Sequence, residues 1–475
     1  MALRLAAPTL SRRTLTQTRR GLALAIPFLS ACFSPSDAPE SAEASTSMAT
    51  EEQVTDADGV TSTATDSEGT TGAGSTTRGQ TSSAESSGTI GSEDPTSSGA
   101  SSATSSTGSA SESSTGVTAE CGDGAAQPGE FCIAEVSTLS VGCPPQRVQV
   151  GDLDGNGRVD LVYAAVDDAE LHIFLGGGDG SFVSGPAEAL APRALTLGHY
   201  NDDDDLDIAF LDASIQLNVV LNDGNGSLPG SSSGLSVIGN VEVASGDLDN
   251  DGYDDVITAG SGGSIGVALS ASGGSGALTP TTVGSVGGSA LRNGLVIADL
   301  NGNADLDFAF TDILNGGRVV ACLGDGDGAA SSCNGFAVGD LPMGLAAGDI
   351  DGDGSTDLVA ADSTSNTVTV LIGQGNGGFE DGVAIPVGNA PNRVALADLD
   401  LDGHDDLVVT HMGDASVHVL RYDVSRRAFG SAVVFDVPAG APTDVVVADF
   451  NEDGALDIAA GNDTQAELTL LLSDA

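Results

Sequence analysis

The chain of 475 residues contains no tryptophan and no lysine. All 15 basic residues are Arg, set against 68 acidic ones, and aromatics make up 4%. A net charge of −53 argues against nucleic acid or anionic lipid headgroups as partners. No apolar run is long enough to cross a bilayer. No extended 3.6-residue apolar stripe appears either, so long amphipathic helices are not expected. Cysteine is scarce, with six copies in all.

What the chain does have begins with an N-terminal signal pattern. Arg4, Arg12, Arg13, Arg19 and Arg20 precede a short apolar core over 21–31, the pattern of an export signal. The stretch Leu29-Ser30-Ala31-Cys32 resembles the lipobox of bacterial lipoproteins. That resemblance implies cleavage after residue 31, lipidation of Cys32 and attachment to the cell envelope, at the outer membrane or cell surface. An ordinary cleaved signal, giving a secreted protein, is the alternative. Cleavage leaves ten Arg against 68 acids, a net charge of −58.

Residues 32–120 are mostly Ser, Thr, Gly, Ala and acid, with Arg78 as the only base after Cys32 against fourteen acids. Apolar residues are too sparse for a core, which predicts a disordered linker. As a coil it would span about 50 Å and lift a domain from its anchor. The segment 121–132, with Cys121-Gly122-Asp123-Gly124 and Glu130-Phe131-Cys132, reads as a disulfide-stapled cap. It resembles a short Cys-rich element of secreted myxobacterial proteins. Export permits disulfides. Cys121 with Cys132 and Cys322 with Cys333 are each eleven residues apart and bracket Gly-rich turns, so these pairs are expected. Cys143 is then left over, and Cys132 with Cys143 is the competing choice.

The rest of the chain repeats. The stretch Asp349-Ile350-Asp351-Gly352-Asp353-Gly354-Ser355-Thr356-Asp357 places carboxylates at positions 1, 3, 5 and 9 of a loop, with Gly at 6. Closely spaced oxygen ligands around a tight turn suit a hard cation such as Ca²⁺. The carbonyl of position 7, here Ser355, can add another oxygen. Equivalent loops begin at Asp152, His199, Asp247, Asp299, Asp349, Asp398 and Asp449, at intervals of 47, 48, 52, 50, 49 and 51 residues.

Loop one supplies Asp152, Asp154, Asn156, Asp160 and the carbonyl of Arg158. Loop three supplies Asp247, Asp249, Asp251, Asp255 and the carbonyl of Tyr253. Loop six supplies Asp398, Asp400, Asp402, Asp406 and the carbonyl of His404, and loop seven Asp449, Asn451, Asp453, Asp457 and the carbonyl of Ala455. Loop four keeps Asp299, Asn301, Asn303 and Asp307, with Asp305 at position 7, but Ala304 replaces the turn Gly, so weaker binding is expected. Loop two departs most. His199 replaces the first Asp and Asp204 the Gly, leaving Asn201, Asp203 and Asp207, and it is expected to be empty. Five to six structural calcium sites result. Asp, Asn and Gly also make good turns without any ion, but five well-formed copies at matched offsets favour the cation.

Each unit reads as four short strands. An apolar run such as Arg393-Val394-Ala395-Leu396-Ala397 precedes the loop, and Leu407-Val408-Val409-Thr410 shows the run that follows it. An alternating strand, a Gly-rich turn and a weaker fourth strand complete the unit. Units of this size cannot bury their own faces and must share a core with neighbours. The fold class is therefore all-β, a seven-bladed β-propeller of four-stranded antiparallel blades over 133–475. The first run of each unit is expected to be innermost and apolar. The last unit stops after its third strand, so 133–142 is expected to supply the missing fourth.

The phrase Val446-Val447-Ala448-Asp449-Phe450-Asn451-Glu452-Asp453-Gly454-Ala455-Leu456-Asp457-Ile458-Ala459 resembles FG-GAP/VCBS repeats, those of integrin α-subunit propellers and many bacterial surface proteins. The resemblance implies calcium in the loops between first and second strands, and a role in recognition or adhesion.

Function is read as non-catalytic binding of a protein or glycan by a monomeric propeller. No convincing set of nucleophile, base and orienting group is visible. His411 and His418 read as isolated surface residues. Arg421, Arg426 and Arg427 read as a solvated rim loop, and no other Arg cluster is expected. Specificity is expected in 260–287 and 325–335. The alternatives are a calcium-dependent polysaccharide lyase or hydrolase, by fold analogy alone, and a structural subunit of an envelope assembly.

Overall fold

The structure is a computed structural model. It describes residues 131–475 except 166–167, 230–233, 238–240, 261–263, 272–274, 286–290, 314–315, 439, 463 and 475. The expected signal, Cys32, the linker and Cys121 lie outside the described residues.

Seven four-stranded antiparallel sheets make a β-propeller. Blade one runs Arg147–Gly151, Asp160–Ala165, Glu170–Gly176 and Phe182–Glu188. Blades two to six repeat this order, with second strands at Asp207–Asp212, Asp255–Gly260, Asp307–Asp312, Asp357–Asp362 and Asp406–His411. Blade seven takes Pro442–Ala448, Asp457–Asn462 and Glu467–Ser473 from the C-terminal end and Ile133–Ser140 from the N-terminal end. The last pairing runs antiparallel from Ile133 opposite Ser473 to Ser140 opposite Glu467.

Second strands are buried along their length because they face neighbours on both sides. Val408 and Val409, for example, point to opposite faces and are both inaccessible. The core is accordingly divided into seven clusters, one at each seam between blades. At the seam of blades six and seven, Val408 and Val417 meet Ile458 and Leu471. At the closing seam, Leu468 and Leu470 meet Leu161 and Tyr163. No single unit owns a core, as the repeat length requires.

The innermost strands differ from the apolar expectation. They ring the axis, and several begin with charge. Arg393 of blade six reaches Glu242 of blade three at 3.3 Å and Asp444 of blade seven at 3.5 Å. Arg147 of blade one approaches the same Glu242 at 3.6 Å. The Val148 amide donates to Asp444 Oδ2 at 2.9 Å across the closing seam. So Arg147 and Arg393 do cluster, which their separation of 246 residues in the chain concealed. The buried charges coexist because two cations and two anions face one another.

Cys322 and Cys333 sit opposite each other on neighbouring strands of blade four and are joined by a disulfide. Cys143 is not left over: it and Cys132 are both disulfide-bonded. Among the described residues, no helix is long and apolar enough to cross a membrane.

Candidate metal centres

The acidic loops join first to second strands at one end of the blades. Two sets of hydrogen bonds shape them. The first aspartate accepts from the amides of positions 5 and 6, as Asp349 does from Asp353 at 3.1 Å and Gly354 at 2.9 Å. Asp152, Asp247, Asp299, Asp398 and Asp449 repeat this. The fifth side chain then accepts from the amide of position 7, in Asn156, Asp251, Asn303, Asp353, Asp402 and Asp453. These six loops turn through two left-handed residues. Position 6 is Gly in five of them and Ala304 in the fourth, where φ is +71°. Position 4 is also left-handed, including Leu401 at +55° and Glu452 at +57°.

The ninth aspartate does more than the sequence suggested. It opens the second strand, is buried, and ties loop to sheet. Asp160 accepts from the amides of Leu153 and Gly176, both at 2.7 Å. Asp207, Asp255, Asp307, Asp357 and Asp457 likewise bridge the second loop position and the end of the third strand. Asp406 accepts from Tyr422, while its Oδ2 is buried with no hydrogen-bond partner. Burial pushes Asp255 and Asp406 up to about 7 and Asp357 to about 6. Nearby loop carboxylates push in the same direction. A cation among them would reverse both effects by favouring the ionised forms.

The carboxylates converge. One oxygen from each of Asp152, Asp154 and Asp160 lies within 4.8 Å of the others, as do oxygens of Asp247, Asp249 and Asp251. Asp349, Asp351 and Asp353 form a third such group, and Asp398, Asp400 and Asp402 a fourth. Asp351 Oδ1 and Asp400 Oδ1 are buried without hydrogen-bond partners. An all-oxygen set with orphaned buried oxygens fits a hard cation. In loops four and seven, Asn301 and Asn451 take the third position. Asn301 Nδ2 donates to Asp307, and Asn451 Nδ2 to Asp453.

Loop two lacks the first carboxylate, and neither Asp202 nor Asp204 is left-handed. His199 Nδ1 lies 3.2 Å from the carbonyl oxygen of Asp205, the position-7 oxygen. A ring N–H donating there occupies an oxygen that a bound ion would need.

The Arg421–Arg427 segment is not simply solvated. It forms a small hairpin, Tyr422–Asp423 against Ala428–Phe429. Arg427 reaches Asp351 Oδ2 of blade five at 2.6 Å, and Arg421 reaches Asp400 Oδ2 at 3.4 Å. Arg426 and Arg427 are equally exposed, at 76% and 75%, but Arg426 pairs only with Asp423 of its own hairpin, as a solvated loop would. A cavity of about 540 Å³ lies between this hairpin and loop six, lined by Asp400, Asp402, Arg421 and Arg426. His404 also reaches beyond its backbone role. Its ring packs on Tyr422 and lies over Gly352 of loop five.

Gly-rich turns between third and fourth strands share this end. Each clasps the loop of the preceding blade: Gly226 donates to Leu153 O at 3.0 Å and Gly377 to Leu300 O at 3.0 Å. Gly180 does the same to Phe450 O across the closing seam. These contacts leave only a composition signal in the sequence.

A family profile described as FG-GAP-like repeat matches residues 247–310, 349–409 and 398–460. These segments are similar to FG-GAP-like repeats. No curated protein matches the chain. Among solved structures, the BP39L lectin from Burkholderia pseudomallei is 15% identical, with a TM-score of 0.54, over 70% of this chain and 100% of its own. The BBS1N chain solved in complex with ARL6DN is 12% identical, TM-score 0.49, over 72% of this chain and 96% of that one. A catalytically inactive virginiamycin B lyase from Staphylococcus aureus is 14% identical, TM-score 0.46, over 71% and 99%. At 15% identity the likeness to the lectin is one of fold alone.

Proposed function

We propose that the protein is a calcium-stabilised recognition module, exported and held at the cell envelope by a lipid on Cys32, that binds a protein or glycan. The observation that carries this reading is the contrast between the two ends of the blades. At one end, six loops repeat the same hydrogen bonds around convergent carboxylates. At the other, the turns between second and third strands differ in their residues from blade to blade, as Ser363-Thr364-Ser365-Asn366 and Met412-Gly413-Asp414-Ala415 do. A constant end suits a scaffold, and a variable end suits selection of a ligand.

Calcium would be held by the loop carboxylates already named, with Asp160 and its equivalents fixing each loop to its sheet. Chelation is expected to lower the melting temperature, and Ca²⁺ to restore it better than Mg²⁺, whose smaller octahedral shell suits these loops less. Identical melts with and without chelator would remove calcium from the proposal. Binding is tested by screening the purified protein against glycans and secreted proteins. Specific capture supports recognition. Release of products from a polysaccharide would instead make it an enzyme, and no capture at all would favour a structural subunit. Phase partition into detergent, lost in Cys32→Ser, tests the anchor.

A further inference from the structure

Cys143 lies between the closing strand Ile133–Ser140 and the innermost strand of blade one, Arg147–Gly151, and is 1% exposed. Asp168 precedes the third strand of that blade, Glu170–Gly176. Glu170 and His172 point to one side of this strand, because strand side chains alternate. His172 stands opposite Tyr163 of the second strand, and the two rings stack with centroids 4.8 Å apart and planes 8° apart. The Tyr163 hydroxyl donates to the carbonyl of Val141, two residues before Cys143. One tyrosine thus fixes the imidazole and the cysteine segment together.

Three donors converge here. One ligand atom from each of Cys143, Asp168 and His172 lies within 4.8 Å of the other two. His172 Nε2 is 3.0 Å from Asp168 Oδ2 and 3.9 Å from Glu170 Oε2, so a fourth donor is at hand. The other oxygen of Asp168 accepts from the Glu170 amide at 3.0 Å, which holds the carboxylate in place. The groups in the acidic loops are aspartate alone, whereas this one combines sulfur, nitrogen and oxygen. The other pair of histidines offers no such set. His411 and His418 are buried rather than at the surface, with ring centroids 3.8 Å apart, but they turn carbons toward the opening above Gly388.

Cys143 is disulfide-bonded. A thiolate, not a disulfide, is the sulfur ligand that metals take. Reduction by a dithiol supplies it: the disulfide takes up two electrons and two protons to give two thiols, and the dithiol becomes its own disulfide. A Cys143 thiolate then faces the carboxylates of Asp168 and Glu170 beside the imidazole. Three negative charges so close repel one another, and a divalent cation is what lets them coexist.

We propose that, once the disulfide at Cys143 is reduced, Cys143, His172 and Asp168 bind a divalent cation of the zinc or cobalt kind, with Glu170 as the fourth donor. This donor set suits such metals rather than calcium. The cation displaces the thiol proton, which leaves to solvent. Sulfur at about 2.3 Å and nitrogen and oxygen at about 2.0–2.2 Å from one tetrahedral ion stand about 3.3–3.7 Å from each other. The 3.0 and 3.9 Å spacings around His172 Nε2 bracket that range. His172 and Asp168 are 13% exposed and Glu170 25%, which opens a way in from solvent. Disulfide and ion exclude each other, so bound metal holds the cysteine reduced and the disulfide keeps the site shut.

The test uses the purified full chain with millimolar Ca²⁺ present, reduced with excess dithiothreitol and desalted under nitrogen so that no added thiol remains. Titration with Co²⁺ is expected to bind one equivalent with a near-ultraviolet thiolate-to-cobalt charge-transfer band, and Zn²⁺ to abolish that band. The unreduced protein is expected to show none. A reduced protein without the band overturns the proposal, and so does an equal band before reduction. Cys143→Ser is expected to lose the band, and its retention, which would place the metal on other thiols, also overturns the site. Should that variant fail to fold, His172→Gln decides. It is expected to weaken cobalt binding by about tenfold or more, and unchanged affinity counts against the site.

Discussion

Arg427 Nη2 donates to Asp351 Oδ2 at 2.6 Å, joining a hairpin of blade six to the acidic loop of blade five. The guanidinium thus occupies one oxygen of the loop that looks best formed in sequence. A cation entering loop five must compete with it. Arg427→Gln is expected to raise overall calcium affinity several-fold, measured by calorimetric titration. Arg426→Gln is the control, since Arg426 pairs with Asp423 alone, and it should leave the isotherm unchanged. Equal isotherms for all three proteins would show that Arg427 does not compete.

The charge cluster at the axis should behave as a buried network. Arg393→Met leaves Glu242 and Asp444 short of a cation, which typically costs about 3–5 kcal/mol. Chemical denaturation of the calcium-loaded protein reads this. Adding Glu242→Gln should recover part of the loss, because the pair's coupling disappears with both partners gone.

Ala304 adopts φ +71° where five other loops use Gly. A left-handed L-residue costs about 1–2 kcal/mol, partly offset by its lower unfolded-chain entropy. Ala304→Gly is therefore expected to stabilise the protein by about 0.5–1 kcal/mol, seen as a higher denaturation midpoint. A lower midpoint would contradict this account of the loop.

Asp362 is buried at the end of blade five's second strand, and burial pushes its carboxyl up to about 6. Its ordinary value is 3.8. The folded state therefore holds the proton more tightly than the unfolded chain does. The resulting stability is fully present below about pH 4 and is lost as pH rises through about 6. Asp362→Asn keeps an acceptor for Thr367 and Thr369 but cannot ionise. Relative to wild type it should gain about 3 kcal/mol between pH 4 and 7. A difference that does not vary with pH would refute this.

The strand Ile133–Ser140 supplies the outer edge of blade seven. Deleting 133–142 should lower the melting temperature by several degrees or more, since it exposes Leu468 and Leu470 along with a row of unpaired backbone groups. An unchanged melt would mean the strand adds nothing to closure.

The loops and the blade count were legible because the same residues recur at the same offsets. Asp152 and Asp449 do the same work 297 residues apart, so each copy supports the reading of the others. The second role of the ninth aspartate was not legible. It depends on the amide of a residue such as Gly176, brought close by sheet pairing. Long-range partners were equally hidden, since Arg393 and Glu242 are 151 residues apart and nothing local marks either one. His411 and His418 misled because a histidine carries no periodic signal, and only the strand register brings the two rings together. Leu401 and Glu452 are left-handed with no residue preference announcing it. The signal was present in their equivalents Gly155, Asn250, Gly302 and Gly352.

Blade seven also imposes an order in time. Its outer strand leaves the ribosome first and its partner Glu467–Ser473 last, with more than three hundred residues between them. At roughly 5–20 residues per second, the first strand waits about 15 to 65 seconds for its mate. Blades one to six can assemble as they emerge, because their strands are consecutive. The ring itself can shut only once Glu467–Ser473 has emerged. A chain that stops before Glu467 leaves both Ile133–Ser140 and Asp457–Asn462 with an unpaired edge, and becomes a target for aggregation or proteolysis.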